Sequence, residues 1–263
     1  MLTSDEPLIL SLETTTRAGS LALMRGGRSL SARAGDAQVS HSMDLLENIR
    51  ALLTEAGLRL DDVELFAVAN GPGSFTGLRI GVATIKSFAA TLSRPAIGVP
   101  TLYAVALSAG PSLCTLAMIP AGRGEVFGQL LAVDEGRVPR PLNNPVHLSP
   151  GKLLDGLSGR RELKLAGEAV KLYADEIDAY ARQQGIALIK EGESSDNSST
   201  EDRLDTWTLA STVENLAFTV GVEAGRLYKS GETGNPFELR AIYVRPSDAE
   251  LNEQCREQNQ QAG

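Results

Sequence analysis

Leu65-Phe66-Ala67-Val68-Ala69 runs without a break into Asn70-Gly71-Pro72-Gly73-Ser74-Phe75-Thr76-Gly77, and this stretch decides the fold. Five apolar residues ended by a glycine-rich turn read as a short buried strand. Beyond the turn Leu78, Val82, Ile85, Ala89 and Leu92 recur at helical spacing, so strand, tight turn and helix follow one another. Upstream, Met43, Leu46, Ile49, Leu53 and Ala56 mark an amphipathic helix over about 42–56, stopped by Gly57. Before it, the apolar runs 8–12 and 20–24 and a third strand at about 29–33 form a hairpin meander through Arg25-Gly26-Gly27-Arg28. Downstream, residues 96–99 predict a further strand ended by Pro100, with Thr101 placed to cap a helix over 102–108.

Three antiparallel strands followed by alternating helices and strands is the pattern of a ribonuclease-H-like lobe, the building block of actin-like ATPases. The pattern restarts at 113–119, a turn at 120–124 and a strand at 125–133, a weak internal repeat. The fold class is therefore α/β with two actin-like lobes of the ribonuclease-H-like ASKHA superfamily, each a mixed sheet flanked by helices. The first lobe is assigned to residues 1–108 and a second, smaller one to 109–208, holding a strand near 163–166 and a helix near 169–181. A final helix at about 209–230 is free to pack back on the first lobe, and 231–263 is an extended segment with a polar tail. Residues 191–205, rich in Ser, Asp, Glu and Asn, are a flexible excursion.

With 263 residues and 42% hydrophobic content the chain can bury one large core or two modest ones. No apolar run approaches the roughly 20 residues that cross a bilayer, and Met1 to Glu6 lack a signal peptide's basic flank, so a cytoplasmic address without membrane contact is expected. Cys114 and Cys255 have neither metal nor disulfide spacing. A net charge of −8 works against nucleic-acid binding by this chain alone. Arg17, Arg25, Arg28 and Arg33, the tightest basic group, read as a solvated hairpin surface.

Few residues are placed for chemistry. The glycine segment has two readings: an anion cradle of backbone N–H groups at a helix N-terminus, or a turn whose glycines are steric necessities. It lacks the G-K-[ST] ending of a Walker loop. Glu13 ends the first strand, where actin-fold ATPases keep an acid that orients metal and water on the terminal phosphate. The equivalent turn of the second lobe, Pro120 to Gly124, offers no acid before Glu125. The only histidines are His41 and His147, and four positions from His41 stand Ala37 and Leu45, so no helix-borne histidine pair exists to hold a metal. No G-x-S-x-G elbow supports a hydrolase. The helix 78–92 carries only Arg79 and Lys86 as charges and interleaves Gly81, Ala83, Ala89 and Ala90 with large apolar residues. It is buried in its own lobe or packs on a neighbour's helix.

Glu13-Thr14-Thr15-Thr16, Ser40-His41-Ser42 before a Leu-rich helix, and Asn70 through Gly81 together resemble the TsaB (YeaZ) family. Gly98-Val99-Pro100-Thr101-Leu102 and Tyr243-Val244-Arg245-Pro246 extend the match over roughly residues 8–246, most strongly before residue 110. The resemblance implies a non-catalytic scaffold that pairs with a TsaD-like catalytic subunit, joined by a TsaE-like ATPase, to form N6-threonylcarbamoyladenosine in tRNAs reading codons that begin with A. It implies a homodimer when the chain is alone, and tRNA contact mainly through the complex. It also implies no catalytic residue, no metal and no tightly bound cofactor, with ATP or ADP expected only at the interface of the assembly. Carried onto this chain, the partner interface comprises His41, Leu45, Leu46, Ile49, Thr76, Gly77, Arg79, Ile80, Gly81 and Thr84. A vestigial nucleotide site would be Glu13, Thr14, Gly71, Gly73 and Ser74. The family usually has Asp where this chain has Glu13, and Asp-Ala-Arg where it has Pro120-Ala121-Gly122-Arg123. The competing reading is an autonomous actin-fold ATPase or small-molecule phosphotransferase, which would turn over nucleotide by itself. Peptidase activity has no constellation to support it.

Overall fold

The computed structural model describes residues 6–35, 41–192, 205–211, 213, 215–232 and 234–244; the side chains at 41–43 lie outside that description. The chain opens with β1 (Leu8–Glu13), β2 (Ser20–Arg25), β3 (Arg28–Ala34) and α1 (His41–Glu55). It continues through β4 (Leu65–Ala69), α2 (Phe75–Leu92), β5 (Ala96–Val99) and α3 (Thr101–Ser108). The sheet runs β3-β2-β1-β4-β5, antiparallel on the meander side and parallel from β1 through β4 to β5. Every residue of β1 is buried, because both faces of the sheet are covered. Alternation sends Leu8, Leu10 and Leu12 toward Ile49 and Leu52 of α1 and Val82 and Ile85 of α2, while Ile9 joins the core on the other face.

The second half repeats this plan. It comprises β6 (Ser112–Gly122), β7 (Glu125–Val133), β8 (Pro139–Pro141), β9 (Val146–Leu148), α4 (Pro150–Asp155) and β10 (Glu162–Ala166). Then follow α5 (Glu168–Leu172), α6 (Ala174–Gln184), β11 (Ala187–Lys190), β12 (Thr206–Leu209) and α7 (Leu216–Lys229). The order is β8-β7-β6-β10-β12-β11, with β9 also on β7. As in the first sheet, a hairpin lies on one side of its leading strand and parallel strands on the other. The molecule thus has the two-lobed α/β architecture expected, a mixed sheet flanked by helices in each lobe.

Three local expectations are corrected. The last helix begins at Leu216 and not near 209, because Thr206-Trp207-Thr208-Leu209 forms β12 between β10 and β11. The indole of Trp207, fully buried, donates from Nε1 to the Arg160 carbonyl at 3.1 Å. The helix expected near 169–181 is two helices that meet at Tyr173. Thr101 does not cap α3: it is the helix's first residue, Pro100 holds the cap position, and the Thr101 hydroxyl donates to Thr15 Oγ1 at 3.1 Å.

The chain returns to the first sheet through α7. Asn215 Oδ1 accepts from the Phe218 N–H at 2.9 Å and caps the helix, while its amide donates to the carbonyls of Leu21 and Arg33. From there α7 lies along β1, β2 and β4 and against α3. Gly221 stands where any side chain would strike Ser11 and Met24, so its lack of a Cβ sets the close approach of helix to sheet. Residues 193–204 of the polar excursion and 245–263 of the tail lie outside the described residues. Among the described residues no helix is long and apolar enough to cross a membrane.

Candidate functional site

The glycine segment is a joint between β4, the first hairpin turn and α2. Ser74 caps α2, its hydroxyl accepting from the Gly77 N–H at 3.3 Å, so Phe75-Thr76-Gly77 is the first helical turn. The Ser74 N–H donates to the Thr15 carbonyl at 2.8 Å, and the Thr14 hydroxyl donates to the Gly77 carbonyl at 2.7 Å. A methyl group at Gly73 would stand 2.7 Å from the Thr15 carbonyl oxygen. At Gly77 it would overlap the Thr14 carbonyl oxygen, and at Gly81 the Thr14 hydroxyl. The Gly71 carbonyl accepts from the Thr101 N–H at 2.8 Å. These glycines are therefore needed for backbone contact inside the lobe, the steric reading of the loop.

Glu13 turns into the same joint. It is 1% exposed, and its Oε1 accepts from the Thr15 N–H, the Thr15 hydroxyl at 2.6 Å and the Thr16 N–H at 2.8 Å. Its Oε2 accepts from the Thr16 hydroxyl at 2.6 Å. The carboxylate braces its own threonine turn with four donors, as a buried charge requires. In the second lobe Glu125 approaches His147, Oε2 to Nε2 at 2.9 Å, and the His147 ring packs on Phe127.

The residues assigned to a partner face separate into two sets. Leu45, Ile49, Gly77 and Gly81 point into the lobe: the two aliphatic side chains belong to its core and the two glycines to the joint. Each already has its packing partner inside the chain. Leu46 is 63% exposed, Thr76 and Arg79 are exposed, and Ile80 and Thr84 are half-buried. His41 opens α1, with its side chain outside the described residues. The outward side of α2, with Ala83 and Ser87 also exposed, thus carries small, uncharged side chains apart from Arg79.

Phe75 and Tyr243 belong beside Arg79, and neither stands out by spacing. The guanidinium lies over the Phe75 ring at 3.9 Å, the Phe75 and Tyr243 centroids are 5.4 Å apart, and Arg79 Nε reaches the Tyr243 hydroxyl at 3.5 Å. Tyr243 arrives on a strap formed by residues 234–244. The Ala96 N–H donates to the Gly234 carbonyl at 2.7 Å and the Ile242 N–H to the Asn70 carbonyl at 2.7 Å. The Asn70 amide donates to the Arg240 carbonyl at 3.1 Å, Lys86 Nζ to the Leu239 carbonyl at 3.3 Å, and the Leu239 side chain enters the core beneath α2.

A family model described as TsaD, tRNA N6-adenosine threonylcarbamoyltransferase, matches residues 35–185, more than half of the chain. The tRNA threonylcarbamoyladenosine biosynthesis protein TsaB of Escherichia coli K12 is 35% identical over 133 residues, 49% of this chain and 57% of that protein. An uncharacterized protein of Mycobacterium tuberculosis H37Rv is 30% identical over 155 residues, 56% of this chain and 69% of its own length. The solved structure of YeaZ from Pseudomonas aeruginosa superposes with a TM-score of 0.66 at 25% identity, covering 90% of this chain and 99% of that one. The chain belongs to the TsaB (YeaZ) family. It spans about half the length of the curated TsaB proteins it matches, 57% of the Escherichia coli protein and 42% of the Haemophilus influenzae one. Four of the motifs that carry the TsaB resemblance converge at the carboxyl end of the parallel strands: the threonine turn, the glycine segment, Thr101 and Tyr243 meet at the joint.

Proposed function

We propose that this chain is the non-catalytic partner subunit of a TsaD-containing assembly that forms N6-threonylcarbamoyladenosine in tRNAs reading codons that begin with A. The observation that carries this reading is Glu13. The acid that an actin-fold phosphotransferase would direct at metal and water has both oxygens bound to its own threonine turn, so its place in the lobe is that of a brace. Membership of the TsaB family supplies the reaction context. The outward side of α1 and α2, around Leu46, Thr76, Arg79, Ile80 and Thr84, is the face offered to the TsaD-like subunit. The same face makes a homodimer when the chain is alone. A TsaE-like ATPase completes the assembly, tRNA is held mainly by the other subunits, and the site of action is the cytoplasm. The chain itself holds no tightly bound cofactor, and ATP or ADP belongs to the subunit interface of the assembled complex.

Size-exclusion chromatography with light scattering, on the chain alone and mixed with the TsaD-like protein of the same organism, tests this. A homodimer that gives way to a mixed complex is the expected result. A chain that ignores that partner, or one that alone sustains magnesium-dependent ATP hydrolysis after contaminating ATPases are removed, sinks the proposal and restores the phosphotransferase reading.

A further inference from the structure

The charge pattern around α2 says what kind of surface can cover it. Of the two cations on α2, Lys86 is half-buried with its Nζ turned to the strap carbonyl of Leu239. Arg79 is the one that points outward, and among the described residues no carboxylate lies within ion-pair distance of it. Its partners are aromatic: the Phe75 ring on its face and the Tyr243 hydroxyl near Nε. Stacking uses the π face of the guanidinium and Tyr243 takes Nε, which leaves the two terminal nitrogens to meet a carboxylate end-on and bidentately.

The surroundings of Arg79 are small and uncharged. A protein that closes on Thr76, Ile80, Ala83 and Leu46 expels water from Arg79 as well, and a desolvated guanidinium without a counter-ion is strongly unfavourable. An acid on the covering surface supplies both the counter-charge and the two acceptors that the guanidinium takes. Among the described charges of the packed neighbour α1, Glu47, Arg50 and Glu55 are exposed and Asp44 is half-buried, a mixed-sign surface rather than the clustered cations that a phosphate backbone needs, on a chain of net charge −8. We infer that Arg79, ordered by Phe75 and Tyr243, is the electrostatic anchor of the partner face and pairs with a carboxylate of the partner protein. The strap positions this anchor, since Tyr243 follows Ile242, whose N–H is tied to Asn70. An aromatic and arginine cluster ordered before binding is the composition of an interface hot spot.

This inference rests on the partner-subunit reading, and its test separates the two. Binding of the full chain to the TsaD-like protein is titrated by calorimetry at several salt concentrations, with circular dichroism melts confirming that each variant is folded. Arg79→Ala weakens binding about tenfold, Arg79→Glu about a hundredfold, and Arg79→Lys, which keeps charge but loses the fork, falls between wild type and Arg79→Ala. The salt dependence flattens in Arg79→Ala, and one Lys substitution among the partner's exposed acids restores binding to Arg79→Glu. If Leu46→Asp abolishes binding while Arg79→Glu binds as wild type, the anchor is overturned and the partner reading stands. If the wild-type chain does not bind, both fall. If Arg79→Glu breaks only the homodimer, or only the assembled complex's affinity for tRNA, the carboxylate belongs to a second copy or the ligand is a phosphate, and the inference is wrong.

Discussion

Glu13 marks the difference between a residue's type and its orientation. An acid at a strand end is legible from the sequence, and so is its neighbour run Thr14-Thr15-Thr16. What the sequence does not display is that two of those threonines supply four donors that fold the carboxylate back on the turn. Glu13→Gln removes the charge from all four bonds: the amide nitrogen fits only at the Oε2 place, where the Thr16 hydroxyl can reverse and accept, and the loss of charge assistance costs about 1–3 kcal/mol. Urea unfolding of Glu13→Gln should show that loss, while affinity for the proposed TsaD-like partner changes little. Unchanged stability would mean that the acid has another role. Gly81 makes the complementary point. In an exposed helix Gly→Ala gains up to about 1 kcal/mol. Here the new methyl meets the Thr14 hydroxyl and Val68, so Gly81→Ala should cost about 1–3 kcal/mol by overpacking, measured in the same unfolding series. Gly77→Ala, aimed at a backbone carbonyl, should cost more.

At the scale of elements, periodic segments are the ones the sequence displays. The apolar spacing of α1 and α2 places both helices to within a few residues, because one core face repeats along each. The inward set Leu45, Ile49, Gly77 and Gly81 and the outward set Leu46, Arg79 and Thr84 are intermixed along these helices. Only the packing of α2 on the threonine turn decides which small residues face in. The strap is the reverse case. Its extended character can be read from 237–244, but its position cannot, since it has no period and its bonds join residues far apart in sequence, such as Asn70 and Arg240. Leu239 is its one deep anchor, 7% exposed in the core beneath α2. Leu239→Ala should therefore lower stability by about 2–4 kcal/mol. In hydrogen exchange the Ile242 amide, protected in wild type by the Asn70 carbonyl, should open in the variant before the amides of β1 do. Equal protection of Ile242 in both would mean that the strap is held elsewhere.

For the whole molecule, the internal repeat in the sequence points to two lobes, and the packing joins them through one apolar layer. That layer takes Ile9, Ala67 and Val99 from the first sheet, Ala117, Ile119 and Leu131 from the second, and Leu102, Val105, Val220 and Ala224 from α3 and α7 between them. Two sheets that share a core cannot lose it one at a time without exposing the other's inner face. Trp207, the only tryptophan, is fully buried in the second sheet among a different set of apolar residues, so its fluorescence reports on that lobe alone. Val220 lies on α7, against the first sheet. Val220→Ala removes two buried carbons and should cost about 2 kcal/mol. If the shared layer couples the lobes, the Trp207 transition in urea moves by the same amount as the far-ultraviolet circular dichroism of the whole chain, and the two curves coincide in both proteins. A Trp207 transition that stays in place while the dichroism shifts would show that the second sheet unfolds independently, and that the layer between the lobes is contact without coupling.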